Sequence, residues 1–311
     1  MKQNKFLIIL LTAITLCSCS SNNSNISSNN SQNISDKYTI YFDTDGGSPI
    51  NLITQDYGTI VELPTPTKDG YKFVGWIHNN KFISEKFILL KSDIKLTAYW
   101  VDENLKFTIN EGFETLTITG YLDKTTTSII IPNRSTVIEA RAFFDCILLT
   151  SITIPSSVTA IEENAFAACE SLKNVYYNGT IEDWCNIEFI NEYSNPMPYS
   201  KHFYMLNSNN KYEEVTSIEI PDTVTSIGNY QFYGFNNVTN ITIPNNVAVI
   251  GSSAFYDCTS LASITIPSSV TIIREFAFEN CTSLENVYYK GTIEDWCNIK
   301  FSIYSSNPMS Y

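Results

Sequence analysis

Eight cysteines and two histidines are the side chains in this 311-residue sequence best suited to covalent or metal chemistry. The cysteines stand at 17, 19, 146, 169, 185, 258, 281 and 297, and the histidines are His78 and His202. A structural zinc site uses Cys and His ligands in closely spaced pairs. From Cys146 onward the successive intervals within each group are 23 and 16, which is the period of a repeat rather than of a ligand set. His202 is the only histidine after residue 78, and the acidic pair Glu182-Asp183 recurs as Glu294-Asp295. Residues copied along with a whole repeat unit point to structure rather than to catalysis. No enzymatic activity, no cofactor and no metal is therefore expected. Two aromatic sets remain as candidate ligand contacts: Tyr176, Tyr177 and Trp184, and their copies Tyr288, Tyr289 and Trp296. The alternative for both sets is packing within the repeat core.

Six cysteines lie beyond Cys19, and an even count in an exported protein invites a disulfide framework. The repeat interval argues against it. Cys146/Cys169 and Cys258/Cys281 are one repeat apart. Neighbouring coils bring Cα atoms to about 4.8 Å but keep the Cβ vectors parallel, which suits a bridge poorly. All six are expected to be buried thiols acting as small hydrophobes. Asp43-x-Asp45-Gly46 has the beginning of a calcium loop, but Gly47, Ser48 and Thr54 occupy the positions where ligands and a glycine are needed, so a hairpin turn is expected.

The chain is 43% apolar and 13% aromatic, with 16% charged residues and a formal charge of −13. Such a composition can bury a large core. Its acidity excludes nucleic acid as a partner, because phosphate binding needs Lys and Arg to displace counterions.

Lys2 and Lys5 precede the apolar run 6–16, which is long enough for a signal peptide and shorter than the ~20 residues of a membrane-spanning helix. Leu16-Cys17-Ser18-Cys19 resembles a bacterial lipobox with Cys19 as the lipidated residue. Residues 1–18 are thus expected to be a lipoprotein signal peptide. Residues 19–36, almost wholly Ser and Asn after the lipidated cysteine, form a flexible tether with a reach of about 20–25 Å.

Residues 37–101 alternate as strands between turn residues, with Trp76 and Trp100 as expected core. Phe42, Gly46-Gly47, Gly58, Pro64, Pro66, Gly70-Tyr71, Phe73, Gly75-Trp76, Leu96, Ala98 and Trp100 resemble the B repeat of internalin-type surface proteins, the Listeria-Bacteroides repeat. That resemblance implies a compact β-grasp-like module, often used as a spacer.

Residues 102–311 are repetitive. Ile-x-Ile-Pro ends at Pro132, Pro155, Pro221, Pro244 and Pro267, and the spacing within each group is 23. Val-x-x-Ile, Ala-Phe, Cys and Leu follow in order, as at Val158, Ile161, Ala165-Phe166, Cys169 and Leu172. A fixed period of this length marks coils that bury their apolar sides only by stacking. Tyr230-Gln231-Phe232 and Phe235 depart from the pattern, so a locally repacked coil is expected there. Residues 105–126 carry strand patterning without the consensus and are expected to form the first coil or cap. Residues 171–189 recur at 283–301 with 16 of 19 positions identical, and Asn195-Pro-Met197 recurs as Asn307-Pro-Met309. Thr180-x-x-Asp183 and Thr292-x-x-Asp295 have the form of helix N-caps.

The 23-residue pattern resembles the BspA-type leucine-rich repeat. The expected architecture is mainly β: a leucine-rich-repeat solenoid of about eight coils preceded by a small β-grasp-like domain. With the lipid anchor expected at Cys19, this is a cell-surface lipoprotein, and the repeat resemblance implies an adhesin that binds an extracellular protein of a host or neighbouring cell through its strand-lined face. Its contact with the membrane would be through the N-terminal lipid alone. Passive envelope display and glycan capture, through Trp76, Trp184 or Trp296, are the alternatives. The solenoid holds ten Lys/Arg against 24 Asp/Glu, whereas 37–101 is neutral, so the expected partner carries a basic patch.

Overall fold

The computed structural model describes residues 36–310 apart from 84, 111, 113, 304 and 305. Cys19, the signal peptide and nearly all of the tether lie outside the described residues.

The N-terminal module is a five-stranded sheet in the order Ile53–Asp56, Lys37–Asp43, Ile94–Asp102, Tyr71–His78, Lys81–Ile83, with a separate pair Ile60–Glu62 and Lys86–Ile88. The first and last long strands lie side by side and parallel, with Phe42 opposite Leu96, the central pairing of a β-grasp-like sheet. Alternation places Ile40, Leu96, Ala98 and Trp76 inside. Both indole N–H groups are used inside the module: Trp76 Nε1 donates to the Pro64 carbonyl at 2.8 Å and Trp100 Nε1 to the Thr44 carbonyl at 2.9 Å. Gly47 lies against the Trp100 ring, where a Cβ would come within 2.4 Å of it. Asp43 receives the Asp45 amide and pairs with Lys95 at 2.8 Å, which makes the Asp43–Gly46 segment a turn. Trp76 is fully buried, so it cannot be the glycan contact considered from sequence.

In the repeats, Ile-Thr-Ile alternation makes short parallel strands whose isoleucines point inward. Ser128, Ser151 and Asn174 stand in register, 23 residues apart. Val137, Ala160 and Glu188 form a second parallel ladder in which the last step is 28 residues, lengthened by the helix Ile181–Cys185. Thr180 caps that helix through a reciprocal pair with Asp183, and Thr292 and Asp295 do the same for Ile293–Cys297. Each helix is a single turn, so Glu188 lies beyond it in the strand Glu188–Phe189 and is exposed.

The third side of each coil carries Ala-Phe-x-x-Cys without regular secondary structure. Two residues per coil adopt positive φ, for example Asn164 and Ala168, or Ser253 and Asp257. This backbone alternates the direction of its amides. Phe143 N–H reaches the Ala165 carbonyl of the next coil, while Cys146 N–H closes back on Phe143. The phenylalanines stack as a ladder, with Phe232–Phe255 at 5.6 Å and Phe255–Phe278 at 5.2 Å.

Two features depart from one uninterrupted solenoid. Leu105–Ile109 and Leu116–Tyr121 form an antiparallel hairpin, and the second strand opens the parallel ladder beside Ser135–Ile138. More consequentially, His202–Leu206 turns back antiparallel onto Tyr212–Glu214 and ends the first sheet. A second sheet starts anew at Ser217–Glu219 and runs to Asn286–Tyr289. The repeats are two stacked blocks.

The N-terminal module is packed onto the first block. Phe82 and Val101 belong to the same buried cluster as the repeat core, with Val74, Ile77 and Tyr99 against it. The Arg134 guanidinium donates to the Asn80 and Glu114 carbonyls at 3.0 and 2.8 Å and lies over the Phe82 ring at 5.5 Å. Charged hydrogen bonds and a cation–π contact of this kind contribute about 2 kcal/mol together. Arg134→Ala should therefore speed exchange of the hydrogen-bonded amides in the paired strand Lys81–Ile83 by roughly 30-fold, the equivalent of that energy. Unchanged exchange there would show that the module docks without Arg134.

Candidate functional site

Outward positions of the first sheet are set by strand alternation. Ile130, Thr153, Tyr176 and Tyr204 fall in one cross-strand row, and Glu214 lies opposite Tyr204 on the returning strand. Tyr176 and Tyr204 stack with centroids 5.0 Å apart at 22°, and Tyr212 leans onto Tyr176 at 4.7 Å. The Tyr212 hydroxyl donates to Asn178 Oδ1 at 2.6 Å. His202 Nδ1 is 2.6 Å from Glu214 Oε1, which also accepts from Asn237 Nδ2 at 2.7 Å. Those contacts, His202 foremost, lower the Glu214 pKa. The stabilisation they give is present above the ordinary carboxylate range and lost as pH falls through the lowered value. The result is an outward tyrosine cluster flanked by a polar, acidic edge.

The six aromatic residues singled out from sequence fall into three groups. Tyr176 is in this cluster. Tyr177 and Trp184 are fully buried, which removes them as ligand contacts. The physical reason is the strand period: Tyr177 follows Tyr176 and must face the core. Trp184 is held in the core by Tyr177, Phe203 and Phe235 at 5.1, 4.8 and 5.7 Å. Tyr288 is exposed, while Tyr289 and Trp296 are half-buried at the end of the second block.

Tyr204, Tyr212 and Glu214 were not singled out from sequence, and His202 was weighed there only for catalysis. The signal was present in the period. Once the five-residue helix is added to 23, His202 aligns with Asn174 and Tyr204 with Tyr176.

The unusual coil at 230–235 is the joint between the blocks. Trp184 Nε1 donates to the Gln231 carbonyl at 2.9 Å, and the Gln231 side-chain amide donates back to the Trp184 carbonyl. Asn195 Nδ2 donates to the Tyr230 carbonyl at 2.8 Å, and its Oδ1 accepts the Met197 amide. Gly234, at positive φ, lies so close to Pro198 that a Cβ would meet its backbone at 2.8 Å. Gln231 and Phe235 replace Ala and Cys because this coil faces an indole rather than another coil of its own kind.

All six described cysteines are free thiols. Cys169, Cys258 and Cys281 donate to the carbonyl of the phenylalanine one coil back, at 3.1–3.2 Å. Cys185 is only half-buried and Cys297 is exposed, so the expectation that all six are buried fails at the helices. Among the described residues, none lies over the second helix as Phe203 and Phe235 lie against Trp184 of the first.

The model of the BspA type leucine rich repeat region matches in six copies over residues 119–195 and 206–307, and the Listeria-Bacteroides repeat domain matches residues 38–99. A protein of Evansella cellulosilytica named "Putative Gly-rich membrane protein" is 32% identical over 69 residues, 21% of this chain and 8% of that protein's length. A leucine rich repeat protein of T. pallidum is 21% identical, with a TM-score of 0.39 over 60% of this chain and 81% of that one. One from Bacteroides ovatus is 22% identical, with a TM-score of 0.41 over 60% and 52%.

Proposed function

We propose a function for this chain from one premise: it belongs to the BspA-type leucine-rich-repeat family. Proteins of this family are typically surface proteins. Our reading is a cell-surface lipoprotein, anchored through Cys19 and a Ser/Asn tether, whose repeats bind an extracellular protein of a host or neighbouring cell.

The tyrosine cluster on the first sheet is the observation that carries it. Tyr176 contacts both Tyr204 and Tyr212 outside the core, which leaves a part-exposed aromatic surface beyond the cross-strand pairing it gives the sheet. Tyrosine gives a large contact area and a polar end at small entropic cost, which is why it dominates binding hot spots. The corresponding outward row of the second sheet is Glu219, Thr242, Thr265 and Tyr288, so on this sheet face only the first block carries such a cluster, while the stacked Tyr233 and Tyr256 of the second block lie on the third side of the coils. The acidity of residues 102–311, ten Lys/Arg against 24 Asp/Glu, favours a basic patch on the partner.

The chain should bind immobilised extracellular-matrix proteins or cells saturably. Tyr204→Ala should weaken that binding by roughly 30-fold, about 2 kcal/mol as for a hot-spot aromatic. Raising salt from about 0.05 to 0.5 M should weaken it further by screening the acidic face. Absence of binding across a broad panel would overturn the reading in favour of passive display. Polysaccharide binding lost on Tyr176→Ala would favour glycan capture.

A further inference from the structure

On the third side of the coils, the buried Phe of each Ala-Phe position is followed by a residue outside the core. That residue is Phe144, Ala167, Tyr233, Tyr256 and Glu279 in successive coils. In the first of these coils the outer ring already has a cation. The Arg141 guanidinium, three residues earlier, lies over the Phe144 ring at 5.7 Å. Two coils of the second block keep an outer ring and lose that cation, because Tyr230 and Ser253 stand where Arg141 stands.

The rings left without a guanidinium are gathered across the joint. Tyr233 and Tyr256 are half-buried and stack with centroids 4.9 Å apart at 3°. Tyr230 adds to them at 6.1 Å from Tyr233. Tyr193 approaches Tyr233 from the first block and stacks on Tyr199 at 6.3 Å. The charge beside these rings is negative. Burial foremost, with the carboxylates of Asp257 and Glu192, pushes the Tyr233 and Tyr256 hydroxyls up, and Glu279 adds to this at Tyr256. Among the described residues, no Lys or Arg forms an ion pair with Glu192, Asp257 or Glu279.

We propose that this tyrosine surface across the joint binds arginine side chains of a partner protein. Arg141 over Phe144 is the template, since it shows the same contact made within the chain at the same coil position. Arginine suits the surface better than lysine. Its planar guanidinium stacks on an aromatic face and can meet a carboxylate with two parallel hydrogen bonds, whereas an ammonium is a compact, strongly hydrated charge. The inference rests on the reading that the partner is a protein with a basic patch, and it places that patch on a surface separate from the Tyr176 cluster.

The test is calorimetric titration of the whole chain with tetra-arginine and tetra-lysine peptides, which carry equal charge. The arginine peptide should bind about 5-fold more tightly or better in 0.15 M salt. Tyr193→Leu removes a ring that is 40% exposed and keeps apolar bulk, and it should erase most of that preference. Asp257→Asn should weaken binding of both peptides by about 5-fold. Asparagine tolerates the positive φ of 58° at this position, so this variant keeps the test open should the first misfold. Glu188→Gln, an exposed charge change on the second ladder, should leave binding as it is. Equal affinity for the two peptides, or binding untouched by both Tyr193→Leu and Asp257→Asn, would overturn the proposal and reduce the effect to diffuse charge attraction. Arginine-selective binding in a chain that binds no matrix protein or cell would support this site and sink the adhesin reading alone.

Discussion

Trp184→Ala should destabilise the repeats by about 4 kcal/mol, while Trp296→Ala should cost about 1 kcal/mol. The two tryptophans sit in the same five-residue sequence, Ile-Glu-Asp-Trp-Cys, with the same capping pair. Local sequence therefore gives no reason for them to differ. Burial does. Trp184 is enclosed by Tyr177, Phe189, Phe203 and Phe235, whereas Trp296 has Tyr289 and Phe301 as its described aromatic neighbours. Removing Trp184 opens a cavity and also leaves the Gln231 carbonyl without its indole donor. Both losses fall on the joint between the blocks. Repeat arrays remain cooperative only while neighbouring interfaces are strong. Urea denaturation of Trp184→Ala followed by circular dichroism should therefore show two transitions where the parent shows one. Equal costs for the two substitutions, or a single transition in Trp184→Ala, would mean that the blocks are not coupled through this indole.

Raising the pH to about 10 should destabilise the fold through its buried thiols, which the unfolded chain ionises and the folded chain does not. Burial pushes the Cys169 and Cys185 thiols up to about 12. It also raises those of Cys146 and Cys258. In the unfolded chain a thiol ionises near ~8.5. The folded state keeps protons that the unfolded state loses, so stability is complete below that value. It falls as pH rises towards the folded pKa. At pH 10 the difference amounts to about 2 kcal/mol for the fully buried Cys169, at about 1.4 kcal/mol per pH unit, and to less for the half-buried Cys185. Urea midpoints measured from pH 7.5 to 10 in reductant should be level at first and then drop steeply. Cys169→Ala should remove about 2 kcal/mol from that drop, whatever it costs at neutral pH. A level profile to pH 10 would refute the assignment of protonated, water-excluded thiols.

The period of the repeat was legible because every coil solves the same burial problem with the same residues at the same spacing. Ile152, Ile154, Val158, Ile161, Phe166, Cys169 and Leu172 are inside as their positions require. The capping pairs at Thr180 and Thr292 were legible because a cap is made within four residues. The tyrosine cluster was only half legible. Tyr176 stood out as part of a repeated pair, but its partners Tyr204 and Tyr212 come from a hairpin that breaks the period. Trp184 and Trp296 were indistinguishable as strings of residues, and so were Tyr177 and Tyr289.

Sequence by itself thus determined the coil, its inward residues, its helical turns and the acidity of its surface, since all of these follow from spacing, local hydrogen bonding and charge. Tertiary structure alone decided where one block ends and the next begins, and which copy of an identical segment is covered. It also decided that the N-terminal module is clasped to the repeats by Arg134. The reason is that burial is a property of neighbours distant in sequence. Phe203 and Gln231 determine the state of Trp184 from 19 and 47 residues away, and no equivalents of them cover Trp296 among the described residues.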